Sequence, residues 1–402
     1  MIEPDRSSQR NAVLAGFLGW MLDAFDFFVL TYVMTDVAKS FGVDRPAIAL
    51  TLTLALMMRP IGAIIFGLMA DRYGRRLPLM LNVVFFALLS VLSGLEPNYT
   101  VFLIMRMLFG AAMGGEWGVG ASLALESAPA KWRGVLSGLL QEGYAAGNLL
   151  AAIAYRTIYP HLGWRWMFFA GGFPALLALF IRFKVKESPA WHEHKTDWAT
   201  YKKALFSHQR LFGYLVLLMT AMMFVSHGTQ DLYPTFLQKE RLFSPRTTAD
   251  IAMVTMVGAI VGGIFFGFVS DKIGRKKTMV GAMVLCMVSM PLWIFAPSTP
   301  LLILGGFLMQ FGVQGAWGIV PAHLNELVPG MLRGFFPGFA YQLGAMFSAS
   351  ISYIESLFGE RFTYGQSMGI LAGAAFVLSA IMIAIGPEAK GVSFRKSQEN
   401  QK

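Results

Sequence analysis

Short polar segments divide the sequence into twelve apolar runs, most of them near 20 residues long. A helix of that length spans the roughly 30 Å hydrocarbon core of a bilayer. The runs lack the alternation of barrel strands, and only helices and closed barrels satisfy their backbone groups in lipid. We therefore expect an all-α membrane protein with twelve transmembrane helices. The predicted spans are 11–35, 47–69, 77–94, 99–121, 135–157, 164–183, 211–237, 248–269, 278–296, 300–322, 335–356 and 364–385.

The composition excludes a soluble enzyme. Only 14% of the residues are charged and the mean hydropathy is +0.56, whereas a soluble domain carries about 25% charged residues. The single cysteine, Cys286, cannot form an intrachain disulfide. We expect no enzymatic activity, metal or cofactor.

A net charge of +10 would suggest nucleic acid in a soluble chain, but here Lys and Arg concentrate in alternate loops. The side that carries both termini has 23 of them and the other side has 8, and the remaining two, Arg59 and Arg106, lie within spans. This bias predicts that both termini are cytoplasmic. The expected partner is the lipid bilayer of a plasma membrane, such as a bacterial inner membrane, and not nucleic acid.

The second half of the chain repeats the first at an offset of 200 residues. GLMADRYGRR at 67–76 recurs as GFVSDKIGRK at 267–276, and ESAPAKWRG at 126–134 recurs as ELVPGMLRG at 326–334. Parallel repeats of this kind are typical of alternating-access transporters. We expect two six-helix bundles, and the predicted division is 1–185, a cytoplasmic central loop over 186–210, and 211–402 with a short cytoplasmic tail.

The doubled G-x-x-x-D-x-x-G-R-R/K loop resembles the signature of the major facilitator superfamily, which implies its twelve-helix fold with two parallel six-helix repeats. The acidic and basic residues of these loops would form a charge latch that closes the cytoplasmic side. The predicted gating residues are Asp71, Arg75, Glu126, Arg133, Asp271, Arg275, Glu326 and Arg333. Glu116 and Glu142 are interpreted as further partners of this arginine-rich gate.

Ionisable residues inside a membrane are costly and need a partner or a function. Asp23 and Asp26 share a helix face because they are three residues apart, and His227 and Asp231 share one because they are four apart. A carboxyl in a partly dehydrated cavity can load and release a proton near neutral pH. Asp231, Asp26 and Asp23 are therefore predicted proton-coupling residues. The alternative is that these acids are fixed ion-pair partners of arginines.

Arg59 lies near the membrane midplane by its distance from the end of its span. An arginine cannot lose its charge there, so it needs an anion, which is either an anionic substrate or an internal acid. Its planar fork suits a carboxylate. Gln141 and Gln342 are polar groups at positions compatible with the same cavity. The superfamily resemblance adds Arg106, because an arginine in this span is often linked to proton coupling.

Segments such as LGWMLDAFDFF and GGEWGVGASLALES resemble the sialate:proton symporter family, which includes bacterial sialic acid transporters and fungal Jen-type lactate/pyruvate permeases. SHGTQDLYPT at 226–235 resembles the Jen-type signature, although Met223 replaces its upstream asparagine. This resemblance implies substrate binding by His227, Thr229 and Gln230, with proton coupling at Asp231. Arg59 and Gln342 would also contact the substrate.

The expected function is proton-coupled symport of a short monocarboxylate such as lactate or pyruvate. The expected partners are the small carboxylate and protons, with the monomer as the functional unit. The runner-up is a symporter of sialic acid or another organic anion. A nontransporting membrane sensor on the same fold is the alternative from a different class.

Overall fold

The computed structural model describes residues 6–195, 197–348 and 361–394, with Ile351, Ile354 and Phe358 between the last two stretches. Every regular element in this part of the chain is helical, which confirms the predicted all-α fold. The elements before the central segment are α1 (Arg6–Phe41), α2 (Arg45–Tyr73), α3 (Arg76–Leu95), α4 (Tyr99–Ser127), a 3-10 turn (Ala130–Trp132), α5 (Arg133–Gln141), α6 (Gly143–Thr157), α7 (Tyr159–Leu162), α8 (Trp164–Ala170) and α9 (Pro174–Lys184).

The central segment itself forms two short helices, α10 (Pro189–His194) and α11 (Trp198–Ser207). The elements after it are α12 (Gln209–Gln230), α13 (Tyr233–Lys239), α14 (Pro245–Ile273), α15 (Arg275–Phe295), α16 (Thr299–Leu327), a second 3-10 turn (Gly330–Leu332), α17 (Phe336–Ser348) and α18 (Tyr364–Ile385). We refer to α1–α9 as the first half and to α12–α18 as the second half.

Nine helical segments of the described chain are long and apolar enough to cross a membrane. Two of them are composite, α8 with α9 and α12 with α13. The fourth predicted span is the 29-residue α4, which carries buried Arg106 and Glu116. The fifth predicted span, 135–157, is covered by α5 and α6, which meet at Glu142. The backbone of Glu142 is helical, and its N–H donates to the Gly138 carbonyl at 3.2 Å. The eleventh span is seen as α17, and residues 349–356, except Ile351 and Ile354, lie outside the described residues.

The helix bounds repeat at the same offset of 200 residues as the motifs. Helices α2 and α14 end at Tyr73 and Ile273, and a glycine follows each of them. Gly74 has φ 103° and Gly274 has φ 109°, a backbone region that disfavours side chains. The chain turns back at each glycine, and α3 or α15 begins within two residues. Arg75 therefore lies beside the end of α2, and Arg275 lies beside the end of α14.

Glycines bring the two halves together at one end of the bundle, the end where Gly74 and Gly274 lie, which we call the latch face. A Cβ on Gly118 of α4 would be 2.6 Å from the Gly338 Cα of α17. A Cβ on Gly138 of α5 would overlap the Gly263 carbonyl of α14. Backbones this close are typical of small-residue helix packing in membranes.

Gly138→Val should force α5 away from α14 and open the latch face, because the added side chain needs space occupied by the Gly263 backbone. The measurement is the alkylation rate of Ser137→Cys in a Cys286→Ser background. Ser137 is buried, and its hydroxyl accepts a hydrogen bond from the Ala322 N–H of the second half at 2.9 Å. We expect much faster alkylation when Gly138→Val is added.

The matched control is Gly213→Val, because no atom lies within 4 Å of a Cβ at that position. Equal alkylation rates for the two valine variants would show that the glycine contact does not hold the latch face closed.

Candidate functional site

Asp26 and Arg106 form an ion pair in the interior of the first half. The Arg106 Nη1 donates to the Asp26 carboxylate at 2.8 Å, and both side chains are almost fully buried. The Ser90 hydroxyl donates to the other oxygen of this carboxylate. The Arg106 guanidinium also lies 4.0 Å from the centroid of the Phe109 ring. The structure therefore shows Asp26 as an ion-pair partner of Arg106, which is the alternative to a proton-coupling role.

Arg59 and Asp23 differ from that pair because no hydrogen bond joins them in the described chain. Arg59 is the middle residue of the 29-residue α2 and is 7% exposed. Its Nε and Nη2, and both carboxylate oxygens of Asp23, have no hydrogen-bond partner among the described residues. Asp23 lies within electrostatic reach of Arg59, and the Tyr341 hydroxyl lies within hydrogen-bonding reach of Arg59.

The interpretation of Glu116 and Glu142 as gate partners is wrong. No arginine of the described chain donates a hydrogen bond to either carboxyl group, and Glu116 Oε1 instead lies against Gly19 of α1. Glu142 lies at the break between α5 and α6 and points at the Gly263 backbone. Glu116 is ten residues before Glu126 in α4, so the two residues are about 15 Å apart along the helix axis.

Aromatic rings from both halves form a floor under the centre of the bundle. The Tyr341 ring of α17 stacks on Trp117 of α4 with centroids 4.4 Å apart. The rings of Trp20 and Trp317 meet it at 6.4 Å and 6.0 Å. On α4, Trp117 lies between Gly114, which packs against the Arg59 backbone, and Glu126 of the latch face, so these rings lie on the latch-face side of Arg59.

Two predicted substrate residues take part in this floor. The Trp117 Nε1 donates to the Gln141 Oε1 at 3.2 Å. The Gln342 Nε2 donates to the Gly114 carbonyl of the other half at 3.3 Å, while its Oε1 has no hydrogen-bond partner among the described residues. In this conformation, both amides join helices.

The predicted seventh span is broken at its signature sequence. Pro234 lies in the first turn of α13 and lacks the N–H that would bond to the Gln230 carbonyl, so α12 ends at Gln230. Before the break, His227 Nδ1 lies 2.9 Å from the Asp231 carboxylate, and about a third of each side chain is exposed. The Gln230 Nε2 donates to Gln310 Oε1 at 3.2 Å.

Thr229 does not join this group. Its side chain is buried, and its hydroxyl donates to the carbonyls of Val225 and Ser226 in its own helix. The structure thus brings His227 and Asp231 together, joins Gln230 to Gln310 of α16, and leaves Thr229 bonded to the backbone.

The predicted gating residues of the first repeat meet at the latch face. Arg75 pairs with Asp71 at 2.5 Å and with Glu126 at 3.0 Å, and it donates to the Gly330 carbonyl of the second half at 3.1 Å. Asp71 accepts from the Gly334 N–H of the second half at 2.7 Å. The arginine is thus paired within its own half, and the aspartate bonds to both halves.

The second repeat builds the same cluster. Arg275 pairs with Asp271 and Glu326, each at 2.8 Å. The Asp271 carboxylate accepts from the N–H groups of Gly134 and Val135 at 2.8 Å and 3.1 Å. It therefore caps the N-terminus of α5 in the first half, where a negative charge is favourable.

Two longer ion pairs cross between the clusters. Arg133 lies 3.6 Å from Glu326, and Arg333 lies 3.9 Å from Glu126. The structure thus brings all eight predicted gating residues together.

Two elements of the latch face were missed from the sequence. Tyr201 of the central α11 donates to the Asp71 carboxylate at 3.0 Å, and burial together with Asp71 raises the pKa of Tyr201, so its hydroxyl stays protonated. Phe394 of the C-terminal tail lies between the Arg133 and Arg333 guanidinium groups, 3.5 Å and 3.8 Å from its centroid. The one available signal was an aromatic residue in an otherwise polar tail.

Within the described residues, no cluster of three or more His, Cys, Asp or Glu side chains is arranged to hold a metal. The ionisable groups at the centre are the Arg59 guanidinium, which can bind an anion, and the carboxyl groups of Asp23 and Glu116, which can take up a proton.

Comparison with known proteins places this chain among transporters. The family model described as sugar (and other) transporter matches residues 11–211 and 204–389. A carboxylic acid transporter protein homolog of Saccharomyces cerevisiae is 30% identical over 94% of this chain and 68% of that protein. The sialic acid transporter NanX of Escherichia coli is 30% identical over 93% of each chain. A probable 4-methylmuconolactone transporter of Cupriavidus pinatubonensis is 29% identical over 97% of this chain and 93% of that protein.

Solved structures agree on the fold. The proton:xylose symporter XylE, a major facilitator superfamily protein, has a TM-score of 0.75 at 22% identity and is covered over 97% of its chain by 96% of this one. The human organic anion transporter MFSD10 has a TM-score of 0.72 at 15% identity, with 93% of this chain and 99% of that chain covered. The chain belongs to the sugar (and other) transporter family of the major facilitator superfamily, and it is a membrane transporter, not an enzyme.

Proposed function

We propose that the protein is a proton-coupled symporter of short monocarboxylates, such as lactate and pyruvate, and that it works by alternating access. The observation that carries this proposal is the buried Arg59 guanidinium, whose Nε and Nη2 have no hydrogen-bond partner among the described residues. The names of relatives add support, because they include transporters of carboxylic acids, sialic acid and cis,cis-muconate.

An unpaired buried guanidinium donor is expensive, so Arg59 favours any anion that reaches it. A carboxylate matches the parallel N–H groups of its fork. Asp23 is the internal competitor, because it lies within electrostatic reach of Arg59 without a hydrogen bond to it in the described chain. We propose that the substrate carboxylate takes the position at Arg59 that Asp23 leaves open.

The second wall of the site comes from α12. A neutral histidine and an amide can donate hydrogen bonds to a carboxylate, whereas an ionised aspartate can only accept them. Asp231 would therefore repel the substrate until it is protonated. This gives a binding order in which a proton binds Asp231 first and the substrate then binds Arg59, His227 and Gln230.

The latch face is the cytoplasmic face in this proposal, as the positive charge of its loops predicts. The described conformation is closed there by the two arginine clusters. Separation of the halves would break the cross-half contacts and release substrate and proton to the cytoplasm. The cycle needs one chain only, in the plasma membrane, with both termini in the cytoplasm.

A second candidate cargo is sialic acid or another organic anion. The observation that favours it is the 30% identity to the sialic acid transporter NanX, which equals the identity to the yeast carboxylic acid transporter homolog. Both cargoes are carboxylates, so Arg59 suits either. The SHGTQD sequence on α12 is the feature that favours the smaller acids.

Uptake into proteoliposomes tests the cargo and the coupling together. We expect labelled lactate and pyruvate to accumulate under an inward proton gradient and to leak out when a protonophore is added. Unlabelled sialate should not compete. Accumulation that needs sodium and no proton gradient would reject proton coupling, and competition by sialate but not pyruvate would select the second cargo.

Arg59→Lys should weaken substrate binding by about 1.5–3 kcal/mol, because the ammonium group keeps the charge but loses the two-pronged hydrogen bond. The measurement is the concentration dependence of uptake, normalised to protein in the membrane. Arg165→Lys is the matched control, since Arg165 donates only to the carbonyls of Gly94 and Glu96 in the described hydrogen bonds. Unchanged affinity in Arg59→Lys would make Arg59 a structural residue.

Asp231→Asn should still bind substrate, because the side chain at this position becomes permanently neutral and no longer repels a carboxylate. Counterflow exchange should continue in this variant while proton-driven accumulation stops. His227→Ala should instead weaken binding at every pH, because a donor is lost. If Asp231→Asn still concentrates lactate against its gradient, the coupling proton lies on another residue, with Asp26 the next candidate.

A further inference from the structure

Glu116 occupies a gap between α1 and α4 that exists because both helices present glycine there. A Cβ on Gly19 would overlap the Glu116 Oε1, and a Cβ on Gly120 would lie 3.0 Å from it. The side chain is 1% exposed, and both of its carboxyl oxygens lack a hydrogen-bond partner among the described residues. Gly19 and Asp23 are four residues apart on α1, so the Glu116 carboxyl lies about one helical turn from Asp23.

The charges of this layer do not balance if every acid is ionised. On α1, α2 and α4, away from the latch clusters, this layer buries two cations and three carboxyl groups, which are Arg59, Arg106, Asp23, Asp26 and Glu116. Arg106 is paired with Asp26, and Asp23 lies beside Arg59. Glu116 is left without a cation, and an unpaired buried carboxylate takes up a proton in preference to remaining ionised.

Among the described residues, no other group nearby supplies the missing positive charge. The titratable or charged groups around Glu116, Asp23 and Arg59 are Asp26 on α1, Arg106 on α4, Tyr144 on α6 and Tyr341 on α17.

A small cavity adjoins Glu116 on the side of the latch face. It is lined by Trp20, Trp117, Leu140 and Pro321, and Pro321 belongs to α16 of the second half. Leu140 and Pro321, which face the cavity from α5 and α16, are not ionisable. One wall of this cavity is therefore removed whenever the halves separate at the latch face, and water can then reach the carboxyl group.

We propose that Glu116 is a proton-carrying residue of the transport cycle: it holds a proton while the latch face is closed and releases that proton to water on the latch-face side when the halves separate. The step breaks only the Glu116 O–H bond and leaves a carboxylate. This inference rests on the proposed symport. In addition to Asp231 on α12, it gives the transporter a second proton-binding residue, Glu116 on α4.

Ionised Glu116 would also help to release the substrate. Its negative charge would appear about one turn from Asp23 and compete with the substrate carboxylate for Arg59. The acids of the first half then compete more strongly for the positive charge of Arg59, and the interaction between Arg59 and the substrate weakens when the exit opens.

Infrared difference spectroscopy of the full-length protein in lipid tests the first half of the proposal without any substrate. At neutral pH the unmodified protein should show the C=O stretch of a protonated carboxyl group that is lost in Glu116→Gln. Glu116→Asp, which keeps a carboxyl group, should shift the band and not remove it. A band that neither variant alters would overturn the proposal, and the Asp variant covers the case in which the Gln variant does not fold.

The second half of the proposal is tested by opening the latch face. In the Gly138→Val variant at neutral pH, the Glu116 band should disappear, because water reaches the carboxyl group; in Gly213→Val it should remain. Persistence of the band in a Gly138→Val protein whose Ser137→Cys derivative alkylates rapidly would overturn release at the latch face. Because the readout needs no substrate, a failure of the proposed cargo leaves these outcomes unaffected.

Transport gives an independent readout. Glu116→Gln should still bind and exchange carboxylate, since Arg59, His227 and Gln230 are intact, but it should lose accumulation under a proton gradient. Full accumulation by a well-expressed Glu116→Gln protein would overturn the proton-carrying role. If the unmodified protein itself exchanges no carboxylate, the proposed function is rejected instead.

Discussion

Arg75 and Arg275 are fully buried at the latch face, and each is held between an aspartate and a glutamate of its own half. Taking a guanidinium out of water is costly unless its donors are paired. The partners that complete each cluster belong to the other half, through the backbone of Gly334 for Asp71 and of Gly134 for Asp271. The hydrogen bonds that make the buried charges tolerable therefore also join the two halves.

This division of partners keeps Arg75 and Arg275 paired when the halves separate. The short ion pairs, at 2.5–3.0 Å, lie within one half and need not break when the halves separate. The ion pairs between halves are longer, at 3.6 Å and 3.9 Å, and the other cross-half contacts go to backbone groups that water can replace. The latch face can thus alternate between two states, because each half keeps its own ion-paired cluster in both.

Much of the architecture could be predicted from the sequence, because it depends on patterns that recur. The span lengths follow from bilayer thickness, and the repeat at 200 residues places the latch residues in two equivalent clusters. The central site is different, because the repeat has diverged there: Asp23, Arg59 and Glu116 align with Met223, Ala259 and Ala316 in the second half. No second copy exists from which to infer the role of these charges.

The errors have a common physical origin. Glu116 and Glu142 are acids near an arginine-rich segment of sequence, yet helical rise and phase direct them toward Gly19 and Gly263. Tyr201 contacts Asp71 across 130 residues of sequence, and no local periodicity specifies that contact. Sequence pattern thus predicts which face of a helix is buried, whereas the partner on that face depends on how helices cross.

Phe394 gives the C-terminal tail a part in the conformational balance of the whole molecule. Its ring makes cation–π contacts with Arg133 of the first half and Arg333 of the second half, and the Arg133 Nη1 also donates to the Val392 carbonyl at 2.6 Å. Both ring contacts and this hydrogen bond are lost if residues 392–394 move away from the two arginines, so docking of this segment and contact between the halves stabilise each other. A bulky label attached next to Phe394 would therefore disturb the contact between the halves, although it lies far from Arg59 in the sequence.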